Sequence, residues 1–315
     1  MGLTGMKAAP RALCQLRNVV RVATGAMLLT ACPAALSAQG VPGGSAVATS
    51  SGASVNLTPK RITFDRPGKS ATVSVASTGG TGGFDVEMID RVMLPDGQIV
   101  PLSQATGPEA ALLKSAKPYL VLTPRRIRMT PGVGQAIRVR AAATSTLAPG
   151  EYRTHLTVTG IPPADTGLTA EQAASQREGK LAFRINSVLA ISIPVILRVG
   201  PIDVRAAIEH PAIAFEDLSA DGRAKPVRTA VLKFELVRLG ANSLFGDVEV
   251  RGSKKLGGEP IGAVRGIGVY PEIERRQVRI ILTRIPASGE QIDLQFRDDD
   301  TAPGAILSKA SLAAP

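Results

Sequence analysis

Apolar and polar residues alternate along most of this chain in short runs cut by Pro and Gly, a period of two that predicts strands rather than helices. In the first half the pattern places strands at 55–57 and 61–64, broken at Thr58-Pro59, then at 70–76, 84–93, 98–100, 119–123, 125–129, 135–140 and 151–160. Pro124 separates two of these, and a Pro, which donates nothing to a ladder, belongs at such breaks or at sheet edges. Turns fall at 65–68, 77–83, Pro95-Asp96-Gly97, Thr130-Pro131-Gly132 and 147–150. Residues 103–116 are less periodic, and the run from Glu109 to Lys114 fits either a helical turn or a variable loop.

One stretch stands out. Residues 181–198 read LAFRINSVLAISIPVILR, with Phe183, Ile185, Leu189, Ile191, Ile193 and Val195 on one face and Ser187 as its gap. At roughly 3.3 Å per residue, such a strand would be about three times the usual length. The polar segment 164–180 before it reads as a mobile loop, and Val199-Gly200-Pro201 ends it. Beyond the linker the same grammar predicts strands at 204–209, 212–215, 227–238, 245–250, 261–269, 277–282 and 290–296. Short strands at this spacing, with no alternation of helix and strand, predict an all-β chain of two sandwiches.

Composition adds limits. The chain has 315 residues, 44% hydrophobic and 20% charged, enough for two ordinary globular domains. With no Trp and only 3% aromatics, the cores must be built from Val, Ile, Leu and Ala. Residues 1–38 read as an export signal: Lys7, Arg11, Arg17 and Arg21 form a basic start, 22–31 is mostly apolar, and small residues from Ala34 to Ala38 fit cleavage. Leu29-Thr30-Ala31-Cys32 also fits a bacterial lipobox, which would make Cys32 a lipidated N-terminus. Both cysteines lie in this segment, so a processed chain would carry no disulfide. Residues 39–53 read as a flexible leader. Removing the signal's four positive charges takes the net charge from +11 to +7, which reads first as a soluble surface that happens to be basic and second as an attraction for an acidic partner or a membrane surface. Nucleic acid is not expected, because no basic cluster is interleaved with aromatics.

Three segments carry a resemblance. Asn56 to Phe64 (NLTPKRITF), the run from Glu151 through His155 and Leu156 into Ile161-Pro162-Pro163, and the long strand ending in Arg198 together resemble the periplasmic pilus chaperones of the chaperone-usher pathway. The match covers most of 54–200 and weakens over 203–315. The resemblance implies two immunoglobulin-like β-sandwich domains set at an angle, 54–199 and 203–315, and a non-enzymatic, periplasmic function with no cofactor. It implies pilus or surface-fibre subunits and an outer-membrane usher as partners. Binding would proceed by donating the long strand to a subunit, with Phe183, Ile185, Leu189, Ile191 and Ile193 as the donor row. The family anchors the subunit's terminal carboxylate with an Arg and a Lys. Arg61 matches the Arg, whereas the Lys position falls on Pro194, with Lys60 or Arg198 as substitutes.

Catalytic and metal chemistry have little support. His155 alternates with Arg153 on a strand, His210 precedes Pro211, and neither has a visible triad or metal partner. Asp298-Asp299-Asp300 reads as an acidic turn, since it lacks calcium-loop spacing. The alternative reading from another class is a lipid-anchored structural or adhesive envelope protein that keeps all its strands to itself.

Overall fold

Proline sets where the chain changes sheets. In the computed structural model, which describes residues 55–79, 81–142, 147–162, 188–219, 221–253 and 258–315, β1 (Val55–Thr58) and β2 (Ile62–Phe64) lie in different sheets on either side of Thr58-Pro59. The same happens at Pro124, between β7 (Leu120–Thr123) and β8 (Arg126–Met129). Where a Pro interrupts the ladder, the next residues are free to pair elsewhere.

The remaining elements of this half are β3 (Ser70–Ser77), β4 (Gly82–Ile89), β5 (Arg91–Met93), β6 (Ile99–Pro101), the single-turn α1 (Glu109–Leu112), β9 (Gln135–Ala141), β10 (Gly150–Gly160) and β11 (Ala190–Val199). They form one sheet ordered β1-β3-β9-β7 and another ordered β2-β11-β10-β4-β8. That is the immunoglobulin arrangement of an ABED sheet facing a GFC sheet, with the first and fourth strands each split across both. Leu57, Val73, Val75, Ile137, Val139, Leu156, Val195 and Leu197 fill the space between them.

The second half contains β12 (Ala206–Leu218), β13 (Val227–Arg238), β14 (Leu244–Arg251), β15 (Pro260–Val269), β16 (Arg275–Ile281), β17 (Gln291–Asp298) and β18 (Ile306–Ala313). Its sheets, β12-β13-β16 and β15-β14-β17-β18, again sandwich an aliphatic core, including Leu232, Leu236, Val248, Val250 and Leu294 around Phe296. Two predicted strands, 204–209 and 212–215, are one strand with a bulge between Glu209 and Ala212. His210 sits in that bulge at φ 52°. The final strand β18 was not expected, because its small and polar residues bury little and give a weak alternation.

The predicted strand 84–93 is interrupted at Asp90. β4 stays in the first sandwich, while β5 pairs with β6 in a separate hairpin. This hairpin crosses to the second half. Met93 is buried among the second core's residues, and the Gln277 N–H donates to the Pro95 carbonyl at 3.1 Å. Gly97 turns the hairpin at φ 87°, a left-handed conformation that L side chains rarely adopt, with the Arg276 guanidinium packed against it. Among the described residues no helix is long and apolar enough to cross a membrane.

Candidate functional site: an edge strand and an arginine cleft

β11 is flanked by β10 along its length, but β2 pairs with it in parallel only at Val195–Leu197. The Gly160 N–H donates to the Leu189 carbonyl at 2.8 Å, so 160 and 189 form a hydrogen-bonded pair. Alternation then directs the backbone groups of Ile191, Ile193 and Val195 to β10, and those of Ala190, Ser192 and Pro194 away from it. Among the described residues nothing pairs with that outward edge upstream of β2. The Pro at 194 therefore leaves the β10 ladder intact and removes an N–H only from the open side. Beside this edge Val188, Leu189 and Ile161 are 53%, 40% and 37% exposed, a small apolar group at the mouth of the sandwich.

The expected donor row divides. Phe183 and Ile185 lie outside the described residues. Leu189 is exposed, Ile191 is partly buried against the first core, and Ile193 is 3% exposed within it. From Ile191 onward the odd-numbered face is thus a core face, because β11 has by then entered the sandwich. The strand itself begins at Ala190.

The odd positions of β10 look like a solvated polar face in the sequence, yet Glu151, Arg153, His155 and Thr157 are all buried. Glu151 and Arg153 meet the second sandwich and the hairpin, whereas the Thr157 hydroxyl bonds to Ser192 of β11 at 2.8 Å. Ser243 N–H donates to Glu151 Oε2 at 3.0 Å, and Arg198 Nε donates to the same oxygen at 3.0 Å. Arg198 Nη2 continues to Asp300 Oδ2 at 2.7 Å, and Arg61 Nη2 reaches that oxygen at 3.0 Å. Thr63 donates its hydroxyl to the other oxygen of Asp300 at 3.1 Å. Burial pushes the Asp300 carboxyl up, but Arg61 and Arg198 outweigh it and hold it below its ordinary value. Burial likewise opposes the Arg198 charge, and Glu151 and Asp300 more than restore it.

Arg61, read from sequence as a carboxylate anchor, is therefore already in contact with a carboxylate of its own chain. Its guanidinium lies 4.6 Å from the Phe245 ring centroid, over the face, and Nε donates to Thr63 at 3.3 Å. Nη1 is buried and has no hydrogen-bond partner among the described residues. Arg198 does converge on the Arg61 site, although it is fully engaged there. Lys60 instead contacts Asn56 on the outer surface. The acidic turn is structural: Asp298 accepts the Thr301 and Ala302 N–H groups.

A second buried pair lies nearby. Arg153 and Glu272 form an ion pair with both side chains 1% exposed. The Met93 N–H donates to Glu272 Oε1 at 2.9 Å, and Arg153 Nη2 donates to the Arg91 carbonyl at 2.8 Å. The Arg153 guanidinium stacks 4.1 Å from the Tyr270 centroid. Burial lowers Arg153 to about 10 and, with Arg153 and Arg91 beside it, lowers His155 to about 2. Glu209, His210 and Glu235 bring metal-ligand atoms within 4.8 Å of one another, but Arg275 already pairs with Glu235 at 2.7 Å and Glu209 at 3.5 Å.

No protein-family model matches the chain, and no curated protein matches it in sequence. Among solved structures it is similar to the E. coli chaperone DraB, at 13% identity and a TM-score of 0.39, over 84% of this chain and 97% of that one. The Pseudomonas aeruginosa CupB2 chaperone matches at 12% identity and a TM-score of 0.38, over 82% of this chain and 100% of that one. A Salmonella enterica structure of the SafA pilin in complex with the SafB chaperone matches at 14% identity and a TM-score of 0.38, over 82% and 96% respectively.

Proposed function

We propose that this chain is a periplasmic chaperone that captures pilus or surface-fibre subunits by adding its β11 edge to their fold and passes them to an outer-membrane usher. The observation that supports this reading is the open edge at Ala190–Pro194, continuous with the exposed Val188 and Leu189. Main-chain groups along such an edge give affinity, and the side chains leading into it fill pockets of the partner. The donor row is then Phe183, Ile185 and Leu189, while Ile191 and Ile193 hold the strand in its own sandwich. Each large apolar side chain moved from water into a subunit groove contributes about 1.5–3 kcal/mol. Arg61 is the anchor for the subunit's terminal carboxylate in this reading: Asp300 holds Nη2, and the buried, unpartnered Nη1 meets the carboxylate once the arriving subunit opens the cleft.

The test is coexpression with a candidate subunit from the same source and recovery of the complex. Leu189→Asp should abolish recovery with an unchanged melting temperature, because Leu189 is exposed in the free chain. Arg61→Ala should reduce it. Full recovery with Leu189→Asp would sink strand addition, whereas full recovery with Arg61→Ala alone would remove only the anchor.

A further inference from the structure

The outer face of the sheet β1-β3-β9-β7 carries cations and no acid. On the sheet β12-β13-β16, by contrast, acids stand among the cations: Lys233 and Arg279 pair with Glu216, and Arg275 pairs with Glu235. The four strands of the first-sandwich sheet contain no Asp or Glu at all. Register places Arg138 between Thr72 and Thr123, and Arg140 between Ser70 and Val121, in two adjacent rows across three strands. Both arginines are exposed and make no ion pair among the described residues. Between them and β7 lies a shallow hollow of about 290 Å³, bounded by Val121 and Thr123.

We propose that this face docks on a membrane leaflet rich in anionic, phosphate-bearing headgroups. Its chemistry is that of phosphate recognition: each guanidinium presents paired donors to two phosphate oxygens, and neighbouring hydroxyls donate beside them. Apart from Val121, the other outward side chains are Ser, Thr, Asn and Ala, all shorter than the arginines beside them. A protein partner of ordinary affinity would need a buried aromatic or aliphatic anchor, and this face offers only Val121. Excess positive charge on the whole chain draws it toward the same surface.

Flotation with vesicles of neutral phosphatidylcholine, with and without phosphatidylglycerol, tests the assignment. The purified chain should bind only when the anionic lipid is present, beyond any binding to neutral vesicles, and should be released by high salt. Arg138→Gln with Arg140→Gln should weaken that increment by about tenfold or more. Arg128→Gln with Arg223→Gln removes the same charge from exposed positions elsewhere and should leave it within about twofold. Equal losses in the two double variants would overturn the proposal, and so would the lack of any anionic-lipid increment. Binding to poly-glutamate that needs Arg138 and Arg140, with no vesicle increment, would replace the leaflet by an acidic protein.

Discussion

Glu272→Gln should cost this protein about 3 kcal/mol, at the lower end of the 3–5 kcal/mol range for a buried pair that loses one partner. The low end follows from what survives the change. The substituted amide would keep the shape of the carboxylate, and its oxygen would still accept the Met93 N–H, so neither a cavity nor an orphaned backbone donor is created. What disappears is the counter-charge of Arg153, whose side chain is 1% exposed and keeps only neutral direct contacts: the amide oxygen, the Arg91 carbonyl, His155 Nδ1 and the Tyr270 face. A loss of this size is a large fraction of the 5–15 kcal/mol that holds a typical domain together. Urea denaturation followed by far-UV circular dichroism measures it, and hydrogen exchange at the Met93 amide reports whether the hairpin loosens first. Arg153→Met combined with Glu272→Gln should recover part of the loss, because no unpaired charge then remains buried. If Glu272→Gln alone changes stability by less than about 1 kcal/mol, the pair does not bind the two sandwiches as described.

Two other outcomes concern pH. Glu290 is held at about 2, below its ordinary value of 4.5, chiefly by hydrogen bonds from Arg284 and with help from the Ala287 and Ser253 N–H groups. Since the folded state lowers this pKa, its stabilisation is complete above about pH 4.5 and is lost as pH falls toward 2. The gap in urea midpoint between wild type and Glu290→Gln should therefore close across that window, and a gap that stays constant would refute the assignment. His155, lowered from 6.5 to about 2, should show no imidazole titration by NMR between pH 7 and pH 4, and a chemical-shift step inside that range would refute its placement in a buried cationic setting.

Much of the fold was legible because strand alternation survives wherever one face meets a core. Residues 135–140 and 151–160 reappear almost unchanged as β9 and β10. Pro59 and Pro124 were legible as breaks, though not as sheet switches, since the choice of the next partner is a tertiary property. The break at Asp90 was hidden because Phe84, Val86, Met88 and Val92 keep one period, although Met93, one position out of phase, is the residue that enters the second core. For the site, sequence indicated Arg61 and the edge around Leu189. Nothing in the pattern marked Glu151, Arg153 and His155 as buried, because a polar strand face looks the same whether it meets water or a second sandwich. Glu272, the counter-charge of Arg153, stands 119 residues away along the chain, and Asp300, which Arg198 contacts, stands 102 away from it, so no local spacing connects either pair.

Pro194 sits on the outward side of β11 immediately before β2 takes over at Val195. A strand laid along the open edge can hydrogen-bond with both groups of Ser192, but it finds no donor at Pro194 and an occupied ladder beyond. The edge therefore has a fixed origin. For a strand added there as proposed, alignment would be set by where pairing must stop, as a rule is read from its end, with no charged residue at that position needed to mark zero.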